Sequence, residues 1–287
     1  MKMCSIFKFK NNIVGRNFDY EVSYDEQLRV IPSMKYGNQY KIIGMCTGLV
    51  KDYPLLYDGL NECGLVMGAL AFEGNAVYFD EDEDKINIPS FDFNLQILGA
   101  FDTVKSVRDF LDDSNVNITN KKFAPRFANS GLHWFVADKK ESIIIEQTKE
   151  GLKWYYADVM TNNPPYPKQK DRYDYFKHFI GDPPILYTQE MQTRGVETYG
   201  LNGDYTSMGR FSRLTYLKEK VESNENGEFI NINQAFHLLS SVEQLYGVAP
   251  VKDNYEYTIY SIVYDMNNKK IYLRFYNDLE IQVVGMI

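Results

Sequence analysis

Short stretches in which apolar and polar residues alternate fill the first third of the sequence. This period of two predicts strands over 6–9 and 13–19, and Lys10-Asn11-Asn12 between them predicts a hairpin turn. The same pattern predicts three more strands, over 28–34, 40–46 and 65–72. We therefore expect the N-terminal part of the chain to be built mainly from strands.

Helical spacing follows in the second third of the sequence. Pro89 is expected to open a first helix that runs through Leu95 and Leu98, and Asp102 is expected to cap a second helix. Three apolar residues share one face of this second helix: Val104, Val107 and Leu111. The spacing thus predicts two amphipathic helices after the first group of strands.

Strands return over 132–136, 142–147 and 152–156. Ile143, Ile144 and Ile145 place apolar side chains on both faces of the middle strand, so that strand should lie between two layers.

Helical spacing then recurs over 173–179, 208–221 and 234–245, and strands are predicted over 257–264 and 270–276. The order of strands, helices, strands, helices and strands suits two packed sheets covered by helices on both outer sides, a four-layer α/β arrangement. Periodicity alone does not separate it from other α+β folds. No repeat or linker divides the sequence, so we expect a single domain over 1–287.

Composition and charge exclude several classes of partner. Hydrophobic residues make up 44% of the chain and charged residues 24%, which is typical of a soluble globular protein. The formal charge of −8 repels nucleic acid and anionic membrane surfaces, and a small anionic substrate would need a local basic pocket. No segment approaches the ~20 apolar residues of a membrane span, and the start lacks the apolar core of a signal peptide. A cytoplasmic location is therefore the default expectation.

The three cysteines are Cys4, Cys46 and Cys63, an odd number without metal-ligand spacing. This pattern disfavours a disulfide framework and leaves room for a reactive thiol.

Cys4 is the first candidate for chemistry. A lone cysteine in an N-terminal strand is ordinarily a small buried hydrophobe. If the three residues before it were removed, however, its sulfur would lie beside a free α-amino group with a pKa of about 7.7–8.0, which could act as general base to the thiol. Such a mechanism needs no histidine, and we interpret His133, His178 and His237 as structural.

The segment Gly15-Arg16-Asn17-Phe18-Asp19-Tyr20 is the second candidate. Its ordinary interpretation is a strand end with an exposed salt bridge. In a functional interpretation, Arg16 lies on the same face as Cys4 across the hairpin and lowers the thiol pKa from about 8.5. Asp19 could then hold the α-amino group, provided that a bulge or the strand end turns both side chains towards the site.

A cysteine near the start followed by this hairpin resembles the choloylglycine hydrolases and their penicillin V acylase relatives. Further segments are similar to that family in the same order along the chain. They are the DGLNECGL stretch at 58–65, the LHW and IEQT pair at 132–134 and 145–148, TNNP at 161–164, YGLNGDY at 199–205 with GRF at 209–211, and YTIYS at 257–261. From Cys4 to Ser261 they follow the family's order over about 260 positions, which makes the resemblance specific.

The resemblance implies a four-layer αββα N-terminal-nucleophile hydrolase fold with two stacked, mainly antiparallel sheets. It also implies a role for each matching residue. Cys4 is the nucleophile, Arg16 and Asp19 orient and activate it, Asn162 offers its side-chain amide to the oxyanion, and Arg210 supports the cysteine. Without the resemblance, Asn162 would be interpreted as a loop cap and Arg210 as a surface residue. The implied reaction is hydrolysis of a linear amide bond, without a metal or organic cofactor.

The sequence departs from the family pattern at Ala71, where bile salt hydrolases have Asn and penicillin V acylases commonly have Tyr. A second oxyanion donor could still be the Ala71 backbone N–H, which does not depend on the side chain. The hairpin after Cys4 is also shorter than is usual, and Ser5-Ile6 replaces Thr-Gly, as in acid ceramidase-like amidases. Met1-Lys2-Met3 precede the nucleophile, so either Met3 is the true start or the tripeptide is a short propeptide.

The resemblance favours glycine- or taurine-conjugated bile salts as substrates, since 51–54 and 86–89 look like the corresponding loops of bile salt hydrolases. Penicillin V and other N-acyl amides are the alternative. An alternative of another class is a non-catalytic protein that binds sterol-like or acyl ligands on the same scaffold. The resemblance also implies a homo-oligomer, with a tetramer suggested by the segment 173–199, which looks like the extension that clasps a neighbouring subunit.

Overall fold

The computed structural model describes residues 3–113, 115–123, 130–183, 194–223 and 230–286. Residues 184–193 of the predicted subunit-clasping segment therefore lie outside the described residues, as do Met1 and Lys2 of the leading tripeptide.

Sixteen strands occur in these ranges. In chain order they are β1 Cys4–Phe9, β2 Ile13–Tyr20, β3 Glu26–Ile31, β4 Ile42–Thr47, β5 Leu56–Asn61, β6 Val66–Ala71, β7 Ile86–Pro89, β8 Val116–Thr119, β9 Leu132–Ala137, β10 Ser142–Thr148, β11 Gly151–Tyr156, β12 Val159–Met160, β13 Ala249–Val251, β14 Asn254–Asp265, β15 Lys270–Phe275 and β16 Gln282–Gly285.

The strands form two large antiparallel sheets and one small parallel pair. The first sheet has the order β12-β1-β2-β14-β15-β16, with β13 paired to β14. The second has the order β11-β10-β9-β6-β5-β4-β3. Strands β7 and β8 form the parallel pair outside these sheets.

Five α-helices occur in the described part of the chain: α1 Phe93–Ala100, α2 Val104–Asp113, α3 Tyr166–Phe176, α4 Ser207–Glu222 and α5 Ile232–Ser240. None of the helices in these ranges is long and apolar enough to cross a membrane.

Three apolar cores show how the layers stack. One core combines residues of both sheets, such as Ile6 and Leu60. A second joins the other face of the second sheet to α1 and α2 through Leu98, and a third joins the other face of the first sheet to α4 and α5 through Phe7 and Leu239. Helices thus cover both outer faces of two stacked sheets, which confirms the predicted four-layer αββα fold.

The burial of β1 follows from its alternation. Cys4 and Ile6 belong to the core between the sheets, while Phe7 and Phe9 belong to the core under the helices. Both faces of β1 are therefore buried, which explains why this strand has few polar positions. The turn predicted between β1 and β2 is present at 10–12, and Asn12 adopts a positive φ of 71° there.

Two predicted helix starts were wrong. Pro89 ends the parallel strand β7 instead of opening α1, whose N-cap is Asp92. Helix α2 is capped by Thr103, whose Oγ1 accepts the Ser106 N–H at 3.2 Å, while Asp102 accepts hydrogen bonds from side chains only. The sequence pattern located both helices but did not identify the residues at which they begin.

Candidate active site

Cys4 is the first residue of β1 and pairs with Phe18 of β2. It is 3% exposed and lines a cavity. The backbone N–H of Cys4 donates to Asn162 Oδ1 at 2.7 Å, and the thiol lies 3.9 Å from the Asp19 carbonyl oxygen. The sulfur and the backbone nitrogen of Cys4 therefore both face polar groups at the edge of a cavity.

Asn162 follows β12 and links Cys4 to the second sheet. Its Oδ1 accepts from the Cys4 N–H and from Arg210 Nη2 at 2.8 Å, while its Nδ2 donates to the Ala71 carbonyl at 2.8 Å. Two donors on one side and an acceptor on the other determine which way the amide points. The Nδ2 group has a second N–H, so it can donate to another acceptor beside Cys4.

Arg210 reaches the site from the first turns of α4 and is fully buried. Its Nη1 donates to the Cys4 carbonyl at 2.6 Å and to Ser5 Oγ at 2.7 Å. Burial lowers the pKa of this guanidinium, while the nearby Asp19 acts to raise it. The ordinary interpretation of Arg210 as a surface residue is therefore wrong, and its contacts fix the backbone of Cys4 on the side of the helical layer.

Arg16 lies on the same face as Cys4, two register positions along the hairpin, as predicted. Its direct partners belong to the second sheet: an ion pair with Asp58 and hydrogen bonds to the carbonyls of Tyr57 at 2.7 Å and Ala69 at 2.6 Å. Burial opposes the charge of this guanidinium, but Asp58 and its neighbours raise the pKa of Arg16. The arginine thus acts on Cys4 through its charge and not through a hydrogen bond.

Asp19 stands one residue before the end of β2 and lines the same cavity as Cys4. Its Oδ1 accepts from Thr258 Oγ1 at 2.6 Å, and its buried Oδ2 has no hydrogen-bond partner among the described residues. Opposite Asp19, the pairing of β14 with β2 shifts register between Thr258 and Tyr260. Burial raises the pKa of Asp19 to about 7, against the opposing effect of Arg210. An acceptor atom is therefore free to receive a hydrogen bond from an amine.

Ala71 ends β6 and pairs with Leu132 of β9. The next pair is hydrogen-bonded, because the Phe72 N–H donates to the Gly131 carbonyl. In an antiparallel ladder the Ala71–Leu132 pair is then non-hydrogen-bonded, so both backbone groups of Ala71 point away from β9. The Ala71 carbonyl accordingly receives Asn162 Nδ2, and its N–H points to the same side.

Arg16 lowers the thiol pKa of Cys4, as predicted, but burial outweighs this effect in the chain that carries its leading residues. Burial raises this pKa to about 11, Arg16 lowers it by less than burial raises it, and Asp19 raises it further. The charge of Arg16 is already paired with Asp58. A thiol in this environment is not a thiolate at neutral pH, and a neighbouring base is needed to remove its proton.

Glu256 of β14 is a site residue that the sequence did not reveal. It is fully buried, its Oε1 accepts the Met3 N–H, and its Oε2 has no partner among the described residues. Burial raises the pKa of Glu256 to about 8, with a further increase from Asp19. Two buried carboxyl groups therefore lie near enough to Cys4 to raise its thiol pKa, and one of them accepts the N–H of the preceding residue.

The cavity beside Cys4 has a volume of about 490 Å³. Its described lining is largely aromatic and aliphatic, and it includes Tyr20, Tyr24, Leu49, Tyr57, Phe91 and Leu132. Asp19 is the one charged residue among the described lining residues. The cavity suits an apolar body whose reactive group lies at the polar end, beside Cys4.

Comparisons with known proteins agree with this geometry. Residues 5–287 match the sequence model of the family described as linear amide C–N hydrolases, choloylglycine hydrolase family. The chain is 38% identical to a bile salt hydrolase/transferase of Lactiplantibacillus plantarum, over 99% of this chain and 92% of the relative. It is 32% identical to a conjugated bile acid hydrolase of Lactobacillus gasseri, over 98% of this chain and 95% of the relative.

Solved structures show the same fold. A crystal structure of a conjugated bile acid hydrolase variant from Clostridium perfringens superposes with a TM-score of 0.89 at 28% identity, covering 100% of this chain and 92% of the other. The penicillin V acylase of Agrobacterium tumefaciens gives a TM-score of 0.75 at 18% identity, covering 99% and 86%, and shares the fold.

Proposed function

Because the chain belongs to the choloylglycine hydrolase family of linear amide C–N hydrolases, we propose that it cleaves glycine- or taurine-conjugated bile salts with Cys4 as nucleophile. The observation that carries this proposal is the position of Cys4 at the polar end of an apolar cavity, with Asn162 and the Ala71 N–H directed to the same place. The bile salt relatives supply the substrate class.

The active form begins at Cys4. Removal of Met1, Lys2 and Met3 turns the Cys4 N–H into an amine, and this amine takes the thiol proton as general base. The ammonium so formed can donate to Asn162 Oδ1, which already accepts from this nitrogen, and to the unpartnered Asp19 Oδ2. The high thiol pKa of the unprocessed chain is consistent with this requirement for a neighbouring base.

The thiolate then attacks the carbonyl carbon of the substrate amide, and the carbonyl π electrons move to the oxygen. Asn162 Nδ2 and the Ala71 N–H donate to the resulting oxyanion. Collapse of this intermediate breaks the C–N bond, and the Cys4 ammonium gives its proton to the departing amine. Water, activated by the same amine, hydrolyses the thioester and restores the thiol.

The cavity lining orients the substrate. Among the described lining residues, none is Lys or Arg, so the expected basic pocket for an anionic group is not found in them. The apolar steroid body therefore occupies the cavity, and the carboxylate or sulfonate of the amine points away from it.

A panel of substrates tests the proposal on protein whose intact mass shows a free Cys4. It contains glycocholate, taurocholate, penicillin V and N-acyl amides of several lengths, and amine release is measured as kcat/KM. We expect a bile salt to exceed penicillin V at least about tenfold, equivalent to about 1.4 kcal/mol. The reverse ratio would assign the acylase function instead. Full activity of protein that uniformly retains Met1 would contradict the amine-based mechanism.

A further inference from the structure

His133 lies on β9, fully buried, with its ring stacked on Phe72 at a centroid distance of 4.3 Å. Its Nε2 lies 2.8 Å from the Thr161 carbonyl oxygen, the residue immediately before Asn162. A carbonyl oxygen only accepts hydrogen bonds, so Nε2 carries a proton and donates it. The histidine of the LHW motif therefore holds the backbone that leads into the oxyanion-binding residue.

Glu146, from the neighbouring strand β10, completes the contact. Its Oε1 lies 3.2 Å from His133 Nδ1 and also accepts the Tyr166 N–H at 3.0 Å. Tyr166 is the first residue of α3, four positions after Asn162. The pair thus forms hydrogen bonds with the segment 161–166 at both of its ends, on either side of Asn162.

The inside of this segment is fixed by two other side chains. Gln169 Nε2 donates to the carbonyls of Asn162 at 2.5 Å and Pro164 at 2.6 Å, and Ser207 Oγ accepts the Asn162 N–H at 2.9 Å. Neither of these contacts reaches the Thr161 carbonyl or the Tyr166 N–H. His133 and Glu146 therefore tie the two ends of the segment to the second sheet, to which Asn162 itself bonds through the Ala71 carbonyl.

We propose that His133 and Glu146 are positioning residues that set the distance between the Asn162 amide and the Ala71 N–H. Both oxyanion donors must reach the same oxygen atom, and one lies on β6 while the other follows β12. Strands β9 and β6 are direct neighbours, so a hydrogen bond from β9 to Thr161 fixes the one donor relative to the other. The inference rests on the proposed function, because it requires Asn162 to contact the oxyanion.

The test compares His133→Phe with His133→Gln. Phenylalanine keeps a flat ring against Phe72 but cannot donate, whereas the glutamine amide can still donate to the Thr161 carbonyl. We expect His133→Phe to lower kcat by about 10–100-fold with little change in KM, the loss that a displaced donor produces. His133→Gln should recover much of this loss. Glu146→Met, which can neither accept the Tyr166 N–H nor bond to His133, should lower kcat in the same direction.

Gln147→Met is the matched control. Gln147 is also buried on β10, but its side chain bonds to Val77 and Ile118, away from Asn162. This variant should lose thermal stability and keep its kcat. The inference is overturned if His133→Phe keeps the parental kcat, if it changes KM alone, or if the Gln and Phe variants are equal. Should His133→Phe not fold, a parental kcat in Glu146→Met would overturn it.

Asn162→Ala separates this inference from the proposed function. If Asn162→Ala keeps the parental kcat, the proposed oxyanion role itself fails. If it loses activity, adding His133→Phe should cause little further loss, since the two substitutions remove the same interaction. Two losses that multiply in full would overturn the positioning role and leave Asn162 in the mechanism.

Discussion

The protonation of the Cys4 thiol depends on groups from several parts of the chain, among them β2, β5 and the N-terminus. Arg16 favours the thiolate, but its charge is shared with Asp58, and burial and Asp19 favour the thiol. The remaining candidate base is the α-amine that the proposed removal of residues 1–3 would expose. The reactivity of the Cys4 thiol should therefore increase sharply when residues 1–3 are removed. The reactivities of Cys46 and Cys63 should stay unchanged.

We expect iodoacetamide to modify Cys63 first in protein that retains residues 1–3. Cys63 is exposed, whereas Cys4 is buried with a thiol pKa of about 11 and Cys46 is buried with a thiol pKa of about 12. Once the N-terminus is Cys4, the amine should make that thiol the fastest, because the thiolate is the nucleophile. Peptide mass mapping over time gives the order, and Cys4 reacting no faster than Cys63 in processed protein would contradict the role of the amine.

Asn162→Ala should lower kcat by about 10²–10³, the usual effect of removing one oxyanion donor. Asn163→Ala is the matched control, because this neighbouring amide contacts Asn75 and the Glu73 carbonyl instead of Cys4. Ala71→Asn should keep measurable activity, since only the backbone of Ala71 is required. The kcat values are measured by steady-state kinetics on protein with a confirmed Cys4 N-terminus. An unchanged kcat in Asn162→Ala would show that Asn162 has no part in the mechanism.

Some of the site could be predicted from the sequence and some could not, for a physical reason. Cys4, Asn162 and Arg210 stand in motifs, and the structure brings these three together. Glu256 stands beside the YTIYS segment, but a glutamate at the start of a strand gives no local signal of burial. Its contact with Met3 spans 253 positions, a distance over which neither periodicity nor composition carries information.

At the scale of elements, one polar cluster joins the two sheets across their shared apolar core. Arg16 of β2 pairs with Asp58 of β5, and the hydroxyls of Tyr260 and Tyr264 of β14 both donate to the Asp58 carboxylate. The arginine and the aspartate are fully buried. A buried pair of this kind costs much to break, since the remaining charge has no water to solvate it.

Asp58→Asn should therefore destabilise the fold by about 3–5 kcal/mol. The substitution leaves the Arg16 guanidinium buried without a counter-charge, while the shape of the side chain is kept. Asp109→Asn is the control, because Asp109 forms an exposed i,i+4 pair with Lys105 that is worth about 0.3–0.5 kcal/mol. Urea unfolding measures both variants, and equal midpoints for the two would show that the buried pair does not stabilise the fold.

The elements themselves were predicted where periodicity is strong. The strands of the β1–β2 hairpin, β9 and β10, and the helices α2 and α4 were located to within a few residues, whereas α5 ends at Ser240, five residues before its predicted end. Strand β5 was not predicted, because its residues Asp58, Gly59 and Asn61 are typical of turns. They are tolerated there because Asp58 binds Arg16 and Asn61 donates to carbonyls of α1 and of Phe101, partners that lie far away in sequence.

At the scale of the whole molecule, the two buried carboxyl groups near Cys4 make stability depend on pH. Burial raises the pKa of Asp19 to about 7 and of Glu256 to about 8, above their ordinary values of 3.8 and 4.5. A group whose pKa is higher in the folded protein stabilises the fold while it is protonated. This contribution is complete below about pH 4 and is lost as the pH rises through about 7 to 8.

Asp19→Asn should reduce the loss of stability at high pH, because the asparagine amide does not ionise in this pH range. We expect the Tm of the variant relative to its parent to increase by several degrees between pH 5 and pH 8, since about 1 kcal/mol moves the Tm of a domain of this size by roughly 2–4 °C. Both proteins should carry Cys4→Ala and an intact residue 3, verified by mass, so that no α-ammonium at residue 4 lowers the pKa of Asp19. Asp109→Asn, at an exposed position, should show no such trend. A difference in Tm that stays constant from pH 5 to pH 8 would show that Asp19 is already ionised in the folded chain. The α-amine of a processed Cys4 would then face an ionised carboxylate from the start.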